Sequence, residues 1–90
     1  MKVAIVGATG IAGQQFVAAL AEHPWFRIAR LGASPRSAGK KYGDALRDES
    51  SGSLRWWAGG SPPESVLGMT VENGEDLKLD NVDLVFSAVE

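Results

Sequence analysis

Three glycines near the amino terminus have the spacing that points most directly to chemistry. Gly7, Gly10 and Gly13 stand in the segment Gly-Ala-Thr-Gly-Ile-Ala-Gly of residues 7–13. A dinucleotide site requires a sharp turn after a strand, a close approach of backbone to pyrophosphate and a tightly packed helix, and the glycines suit these demands in that order. N–H groups at the helix start would bind the phosphates, with the Thr9 hydroxyl as a further donor. The alternative is a tight strand–helix turn that binds no ligand.

A second segment, Ser-Pro-Arg-Ser at residues 34–37, indicates which nucleotide would bind. Domains that take NAD place an Asp or Glu about 20 residues beyond the glycines, where it grips the ribose 2′-hydroxyl. Here residues 23–43 contain no carboxylate. The hydroxyls of Ser34 and Ser37 and the guanidinium of Arg36 suit a 2′-phosphate instead. The sequence therefore predicts NADP as the cofactor in preference to NAD.

The elements that must position these segments form a βαβ pattern. Residues 2–6 are a continuous apolar run typical of a strand covered on both faces. Helix formers follow over residues 11–22, and Pro24 ends the helix. A second strand is predicted at Arg27–Ala33, a short one near residues 69–72 and another core strand at residues 83–89. This order predicts an α/β fold with right-handed crossovers and a parallel sheet.

Two small residues end the last predicted strand. Ser87 and Ala88 would reach the carboxyl edge of the sheet, along which ligands of open α/β sheets bind. Small side chains there would leave room for the nicotinamide half of a dinucleotide. The alternative is a strand that simply ends in small residues.

Several apolar side chains are predicted to be buried. Helical spacing predicts that one face of the helix, carrying Ala12, Phe16, Ala19, Leu20 and His23, packs on the sheet. The aromatic pairs at residues 25–26 and 56–57 are also expected to pack against other parts of the protein.

Composition excludes several classes of function. The chain has 90 residues, no cysteine and one histidine. These counts argue against disulfides, thiolate or histidine-rich metal sites and a cysteine nucleophile within it. No apolar run approaches the roughly 20 residues of a membrane span, and no signal-peptide pattern is present. The net charge of −2 argues against a general nucleic-acid binder. We expect a soluble, cytoplasmic domain with no membrane, metal or nucleic-acid partner.

Positive charge is concentrated in the first half of the chain. Residues 1–47 contain seven basic and two acidic side chains, whereas residues 48–90 contain two basic and nine acidic ones. Six of the nine basic residues lie between Arg27 and Arg47. Such a field beside a phosphate-binding turn favours a polyanionic ligand, and the alternative is a solvated basic face.

These motifs together resemble the start of aspartate-semialdehyde dehydrogenases of the archaeal and fungal-like branch. The resemblance rests on residues 7–13, on Ala-Ser-Pro-Arg-Ser-Ala-Gly-Lys-Lys-Tyr-Gly at 33–43, on His-Pro-Trp-Phe at 23–26 and on Asp-Leu-Val-Phe-Ser-Ala at 83–88. It covers nearly the whole chain and is least distinctive over 48–75. It implies a Rossmann-like parallel sheet with flanking helices. Residues 1–90 would be a truncated amino-terminal NADP-binding domain, and the catalytic domain would be absent.

The resemblance also implies an activity and a set of contacts. The family reduces L-4-aspartyl phosphate with NADPH to aspartate semialdehyde, a step of lysine, threonine and methionine biosynthesis, and its enzymes are expected to be homo-oligomers. Its cysteine nucleophile, acid–base histidine and substrate-binding arginine would lie beyond residue 90, so the chain alone is expected to be inactive and to contain no catalytic residue. Carried over by position, the cofactor contacts are Thr9, Gly10, Ile11 and Ala12 for pyrophosphate, Ser34, Arg36 and Ser37 for the 2′-phosphate, and Ser87 and Ala88 in the groove.

Other functions remain open at this point. N-acetyl-γ-glutamyl-phosphate reductase has the same acyl-phosphate chemistry, although residues 36–43 favour the first family. A noncatalytic NADP-sensing module would have related glycine turns. An isolated half-domain without ligand affinity is the remaining alternative.

Overall fold

A computed structural model describes residues 1–47, 50–58, 60, 62–77, 80 and 82–88. In chain order its elements are β1 (Lys2–Val6), α1 (Ile11–Ala21), β2 (Arg27–Ala33), α2 (Tyr42–Ala45), α3 (Glu64–Leu67), β3 (Val71–Asn73) and β4 (Leu84–Ser87). The first strand, the long helix and the second strand are confirmed, and β3 begins two residues and ends one residue later than predicted. The one-turn helix α3 was not predicted.

The four strands form one parallel sheet in the order β3-β2-β1-β4. β1 is central, so β2 lies on one side of it and β4 on the other. The chain order therefore reverses at β1, and in open α/β sheets a ligand crevice lies at the carboxyl ends of the strands at such a point. In this fold that point is occupied by the glycine turn after β1.

The core forms around β1, as its apolar run predicts. Val3, Ala4 and Ile5 are inaccessible to solvent because both faces of the sheet are covered there. The strand predicted at residues 83–89 is present as β4, Leu84–Ser87, but the expectation that it is a core strand was wrong for Leu84 and Val85. β4 is an edge strand in which Leu84 and Val85 are 42% and 44% exposed, because β1 is its single neighbour among the described strands. Residue 89 lies outside the described residues.

Helix α1 packs on the sheet through a different face from the one predicted. Its buried residues are Gly13, Gln14, Val17 and Leu20, whereas Ala12 and Ala19 are exposed. The helix is rotated because Gly13 must face the turn after β1 for the close contact described below. Of the predicted face, Leu20 is buried, and Phe16 packs against the core and contacts Phe86 of β4 with ring centroids 5.3 Å apart.

In each of the two aromatic pairs, one ring packs against the core and the other is exposed to solvent. Phe26 and Trp56 pack against the core as predicted. Trp25 is 76% exposed, so the prediction that it is buried was wrong. Trp57 is 54% exposed, so it does not belong to the core of this chain. Adjacent residues in an extended or turn segment point in different directions, and one of each pair faces solvent. No helix in the described part of the chain is both long and apolar enough to span a membrane.

Candidate functional site

The glycine turn is bound to the end of β2 by its own backbone. The N–H groups of Gly7 and Ala8 both donate to the carbonyl oxygen of Gly32, at 2.8 and 3.0 Å. Gly7 has φ 81°, in the left-handed region that side chains with a Cβ rarely adopt. The chain can therefore leave β1 sharply at Gly7 while remaining attached to the neighbouring strand.

Gly13 permits the close contact between α1 and this turn. A Cβ at Gly13 would overlap the carbonyl oxygen of Gly7 and would lie 2.6 Å from its carbonyl carbon and 2.8 Å from the Cα of Ala8. These are backbone atoms, which cannot move aside as a flexible side chain could. The third glycine of the motif is therefore required by the packing of helix on turn.

The start of α1 has the properties of an anion site. Its N-cap, Gly10, is exposed and extended, makes no side-chain capping bond, and is followed by a first turn without an acidic residue. The first N–H groups of an α-helix have no partner within the helix, and the positive end of its dipole lies there. Ile11 and Ala12 are exposed in this first turn. The start of α1 is thus accessible to an anion.

A groove of about 630 Å³ runs along the carboxyl edge of the sheet beside this helix start. It is lined by the ends of all four strands and the turns that follow them: Val6, Gly7, Thr9, Gly10, Ala33, Ser34, Pro35, Asn73, Gly74, Glu75, Ser87 and Ala88. Six of the eleven predicted cofactor residues line it: Gly7, Thr9, Gly10, Ser34, Ser87 and Ala88. The parallel topology brings them together because the carboxyl ends of parallel strands share one edge.

The turn after β3 is a part of the groove that the sequence analysis missed. It contributes Asn73, Gly74 and Glu75. The Glu75 N–H donates to the Asn73 side-chain oxygen at 3.1 Å, and the Gly74 N–H to the Ala33 carbonyl at 2.8 Å. The signal available in the sequence was Asn-Gly directly after a short strand. Glu75 follows β3, whereas the carboxylate of NAD-binding domains follows the second strand.

Arg36 and Ser37 lie in a second hollow beside the groove. We call it the basic pocket; its volume is about 320 Å³, and its lining residues are Arg36, Ser37, Lys40, Ala45, Arg47, Ser50 and Arg55. Four of the seven are cationic, so an anion would be attracted to it. Of the predicted residues, Ser34 therefore faces the groove, whereas Arg36 and Ser37 line the basic pocket.

A small hollow of about 190 Å³ joins these two regions. It shares Thr9 and Gly10 with the groove, and it shares Ser37 and Arg55 with the basic pocket. Trp57 also lines it. The glycine turn and the basic pocket are thus neighbouring parts of one continuous surface.

The basic segment after β2 is fixed in place by Tyr42. Its hydroxyl donates a 2.6 Å hydrogen bond to the carbonyl oxygen of Ala8, and the side chain is inaccessible to solvent. Burial raises the pKa of Tyr42 well above the usual tyrosine value. The hydroxyl therefore stays protonated and can donate at neutral pH. This bond joins the end of the basic segment to the glycine turn, and no pattern in the sequence indicates this role of Tyr42.

Gln14 is a second residue that the sequence analysis missed. Its side chain is completely buried, and its Nε2 group donates to the carbonyl oxygens of Thr9 at 3.1 Å and Arg55 at 2.9 Å. Its Oε1 atom accepts the N–H of Trp57 at 2.7 Å. Since Arg55 and Trp57 are more than 40 positions away in the chain, no local pattern could have indicated this role.

The arrangement can bind and orient a ligand with several phosphates. It contains the N–H groups at the start of α1, the hydroxyls of Ser34 and Ser37 in the bend after β2, and the four cationic residues of the basic pocket. Among the described residues no cluster of three His, Cys, Asp or Glu side chains could hold a metal ion.

Comparison with known proteins agrees with this geometry. Residues 2–90 match the family described as "Semialdehyde dehydrogenase, NAD binding domain". Over 89 residues the chain is 38% identical to aspartate-semialdehyde dehydrogenase of Methanothermobacter thermautotrophicus, covering 99% of this chain and 23% of the relative. It is 36% identical over 87 residues to "Malonyl CoA reductase (NADP)" of Metallosphaera sedula, covering 97% of this chain and 22% of that protein.

A solved structure gives the same result for the fold. The crystal structure of aspartate semialdehyde dehydrogenase with NADP from Candida albicans matches with a TM-score of 0.82 and 38% identity, over 99% of this chain and 23% of that one. The chain thus spans about a quarter of the length of these relatives. The Rossmann-like α/β fold predicted from the sequence is confirmed. The chain belongs to the family of semialdehyde dehydrogenase NAD-binding domains.

Proposed function

We propose that this chain is the NADP(H)-binding part of an aspartate-semialdehyde dehydrogenase acting on L-4-aspartyl phosphate. The bound cofactor would supply the hydride for reduction of the acyl group. This chain would bind and orient the cofactor. It contains no cysteine, so the nucleophile that the family uses would come from another part of the enzyme.

The pyrophosphate would bind at the start of α1. Gly10 is exposed there, and the N–H groups of the first turn, which includes Ile11 and Ala12, are free of partners within the helix. Thr9 lines the same groove, and its hydroxyl would be a further donor. The absence of an acidic residue in the first helical turn supports this assignment, because a carboxylate there would compete with the phosphates for the same donors.

The adenosine 2′-phosphate would bind at the bend after β2. Ser34 lines the groove and Ser37 lines the basic pocket, and the Ser37 N–H donates to the Ser34 carbonyl at 3.0 Å, so both hydroxyls belong to one compact turn. Arg36 lies between them in the chain and adds a guanidinium. Two hydroxyls and a cation suit a phosphate dianion, whereas the ribose hydroxyl of NAD would find no carboxylate on this bend.

The nicotinamide half would lie towards Ser87 and Ala88. Both residues line the end of the groove that is formed by β4, across from Gly7. The Ala88 N–H donates to the Val6 carbonyl at 2.9 Å, which fixes the end of β4 beside the glycine turn. Small side chains at this position leave the groove open for a planar ring.

The observation that carries the proposal is the position of the glycine turn at the point where the strand order reverses, with the serine- and arginine-bearing bend beside it. Titration of the protein with NADP+ and NAD+ tests it, and we expect tighter binding of NADP+. Arg36→Ala should weaken NADP+ binding by about 1–3 kcal/mol, the scale of a charge-assisted hydrogen bond, and should leave NAD+ binding unchanged.

Arg27→Ala is the matched control, because Arg27 is an exposed arginine at the opposite end of β2. It should alter neither affinity. Equal losses of NADP+ and NAD+ binding in Arg36→Ala would refute the 2′-phosphate role, and equal affinity of the unaltered protein for both cofactors would refute the NADP assignment.

Malonyl-CoA reduction is the second candidate, favoured by the 36% identity to the Metallosphaera enzyme. The cofactor site would serve either reaction in the same way. Assay of the whole enzyme with L-4-aspartyl phosphate and with malonyl-CoA separates the two, and we expect turnover of the aspartyl substrate.

A further inference from the structure

The segment between α2 and α3 brings an arginine to the edge of the glycine turn. Arg47 and Leu54 form an antiparallel bridge, and the Arg55 N–H donates to the Leu46 carbonyl at 2.8 Å. The Arg47 guanidinium donates to the Gly52 carbonyl at 3.0 Å, within the same segment. This local pairing folds the segment back on itself, so that Arg55 lies next to the end of α2.

The buried Gln14 amide fixes the backbone of Arg55 relative to the glycine turn. Its Nε2 group donates to Thr9 and Arg55 carbonyls together, and its Oε1 atom accepts from Trp57. Breaking one of these bonds would leave a buried polar group unpaired, which costs about 1–3 kcal/mol. The buried Gln14 amide therefore holds the carbonyl groups of Thr9 and Arg55 close to each other.

Arg55 lines two cavities, the basic pocket and the small hollow that joins it to the groove. It lines the basic pocket together with Arg36 and Lys40, and it lines the small joining hollow together with Thr9 and Ser37. Within the described residues its guanidinium makes no ion pair and no hydrogen bond. A phosphate bound beside Arg55 would be attracted by its charge and by those of Arg36 and Lys40, which line the same pocket.

We propose that Arg55 is a specificity-determining residue that binds the 2′-phosphate of the cofactor from the side opposite to Ser34, with Gln14 as its positioning residue. The ligand group is a phosphate monoester dianion on a ribose. This role of Arg55 rests on the proposed function, in which the 2′-phosphate binds at the Ser34–Ser37 bend. Arg55 lies 18 positions after Ser37 and belongs to neither the glycine motif nor the Ser-Pro-Arg-Ser segment. It is brought to the site by the tertiary fold.

The test compares Arg55→Gln and Arg55→Lys with Arg27→Gln in the protein. NADP+, NAD+ and 2′,5′-ADP are titrated into each; the last of these carries the 2′-phosphate without pyrophosphate or nicotinamide. For Arg55→Gln we expect Kd for NADP+ and 2′,5′-ADP to rise about tenfold, as for the loss of one charge-assisted contact, with no change for NAD+. Arg55→Lys should retain part of the affinity, and Arg27→Gln should match the unaltered protein.

The outcomes separate this inference from the proposed function. If the unaltered protein prefers NADP+ and Arg55→Gln keeps the whole preference, the role of Arg55 is overturned and the proposed function stands. Equal weakening of NADP+ and NAD+ would place Arg55 on the pyrophosphate or on the fold and would also overturn it. A protein that binds neither NADP+ nor 2′,5′-ADP overturns both.

Discussion

Alanine substitution should lower stability at Gly13 and cofactor affinity at Gly10, although both glycines belong to one motif. At Gly13 a Cβ would overlap the backbone of Gly7, so α1 would have to move away from β1. Overpacking of this kind costs about 1–3 kcal/mol or more. The better helix propensity of alanine returns about 1 kcal/mol. Because neither backbone can relax as a side chain would, we expect a net loss of about 2 kcal/mol in the free energy of unfolding.

At Gly10 the same substitution meets only ordinary contact. The added Cβ would lie 3.6 Å from the Gly7 carbonyl oxygen, and φ of −77° suits any residue. Alanine restricts the unfolded chain more than glycine does, which stabilises the folded state by about 0.4–1 kcal/mol. Alanine is also a weaker N-cap than glycine, which destabilises the folded state by a similar amount. Stability should therefore hardly change. The methyl group would instead stand at the open helix start, so Gly10→Ala should weaken NADP+ and NAD+ alike.

Urea unfolding of the protein, followed by intrinsic tryptophan fluorescence, measures the stabilities, and titration with the two cofactors measures the affinities. Gly68→Ala is the control, since nothing lies within 4 Å of a Cβ at Gly68. A Gly13→Ala protein as stable as Gly68→Ala would refute the packing argument. A Gly10→Ala protein with unchanged affinity for both cofactors would refute the close approach of phosphate to this residue.

Three further predictions concern the contacts that hold the site together. Tyr42→Phe should lower the free energy of unfolding by about 1–2 kcal/mol, because it leaves the Ala8 carbonyl unpaired. Burial raises the pKa of Tyr42, so the protonated tyrosine stabilises the fold fully below about pH 10 and less as the pH rises further. Urea unfolding at increasing pH should therefore show a smaller alkaline loss of stability in the variant than in the unaltered protein. Gln14→Leu should lower the free energy of unfolding by about 2–3 kcal/mol. Circular dichroism measures the folded fraction of the variant, and titration with NADP+ should show that this fraction binds the cofactor more weakly than the unaltered protein does. The 90-residue chain alone should melt below about 60 °C without ligand, since β4 exposes Leu84 and Val85; a cooperative calorimetric transition well above that temperature would contradict this.

The parts of the fold that the sequence predicts are those determined by local pattern. The apolar run of β1 and the bounds of β2 follow from contiguous residue types, and Pro24 ends α1 where expected. The groove residues at the ends of β1, β2 and β4 follow from one topological rule, since parallel strands end at a shared edge. Helix α3, Glu64–Leu67, has one turn and no periodicity to detect.

The parts that the sequence does not predict depend on contacts between distant segments. The rotation of α1 is set by Gly13 against Gly7, so hydrophobic periodicity alone selected the wrong face. A buried glutamine resembles a surface residue until its partners, more than 40 positions away, are known. Tyr42 is similar, since its hydroxyl bonds to Ala8 across 34 positions.

These long-range contacts decide which cations can reach a phosphate. Charge counting alone treats all six basic residues between Arg27 and Arg47 as equivalent, yet Arg30 is paired with Glu72 at 2.8 Å on the sheet, and Arg27 lies at its opposite end. Arg55, in the acidic half of the chain, joins the basic pocket because Gln14 and the Leu46 carbonyl fix its backbone there. Cofactor preference in this domain should therefore respond to substitutions at Gln14, even though its side chain is buried beneath the surface that the ligand would touch.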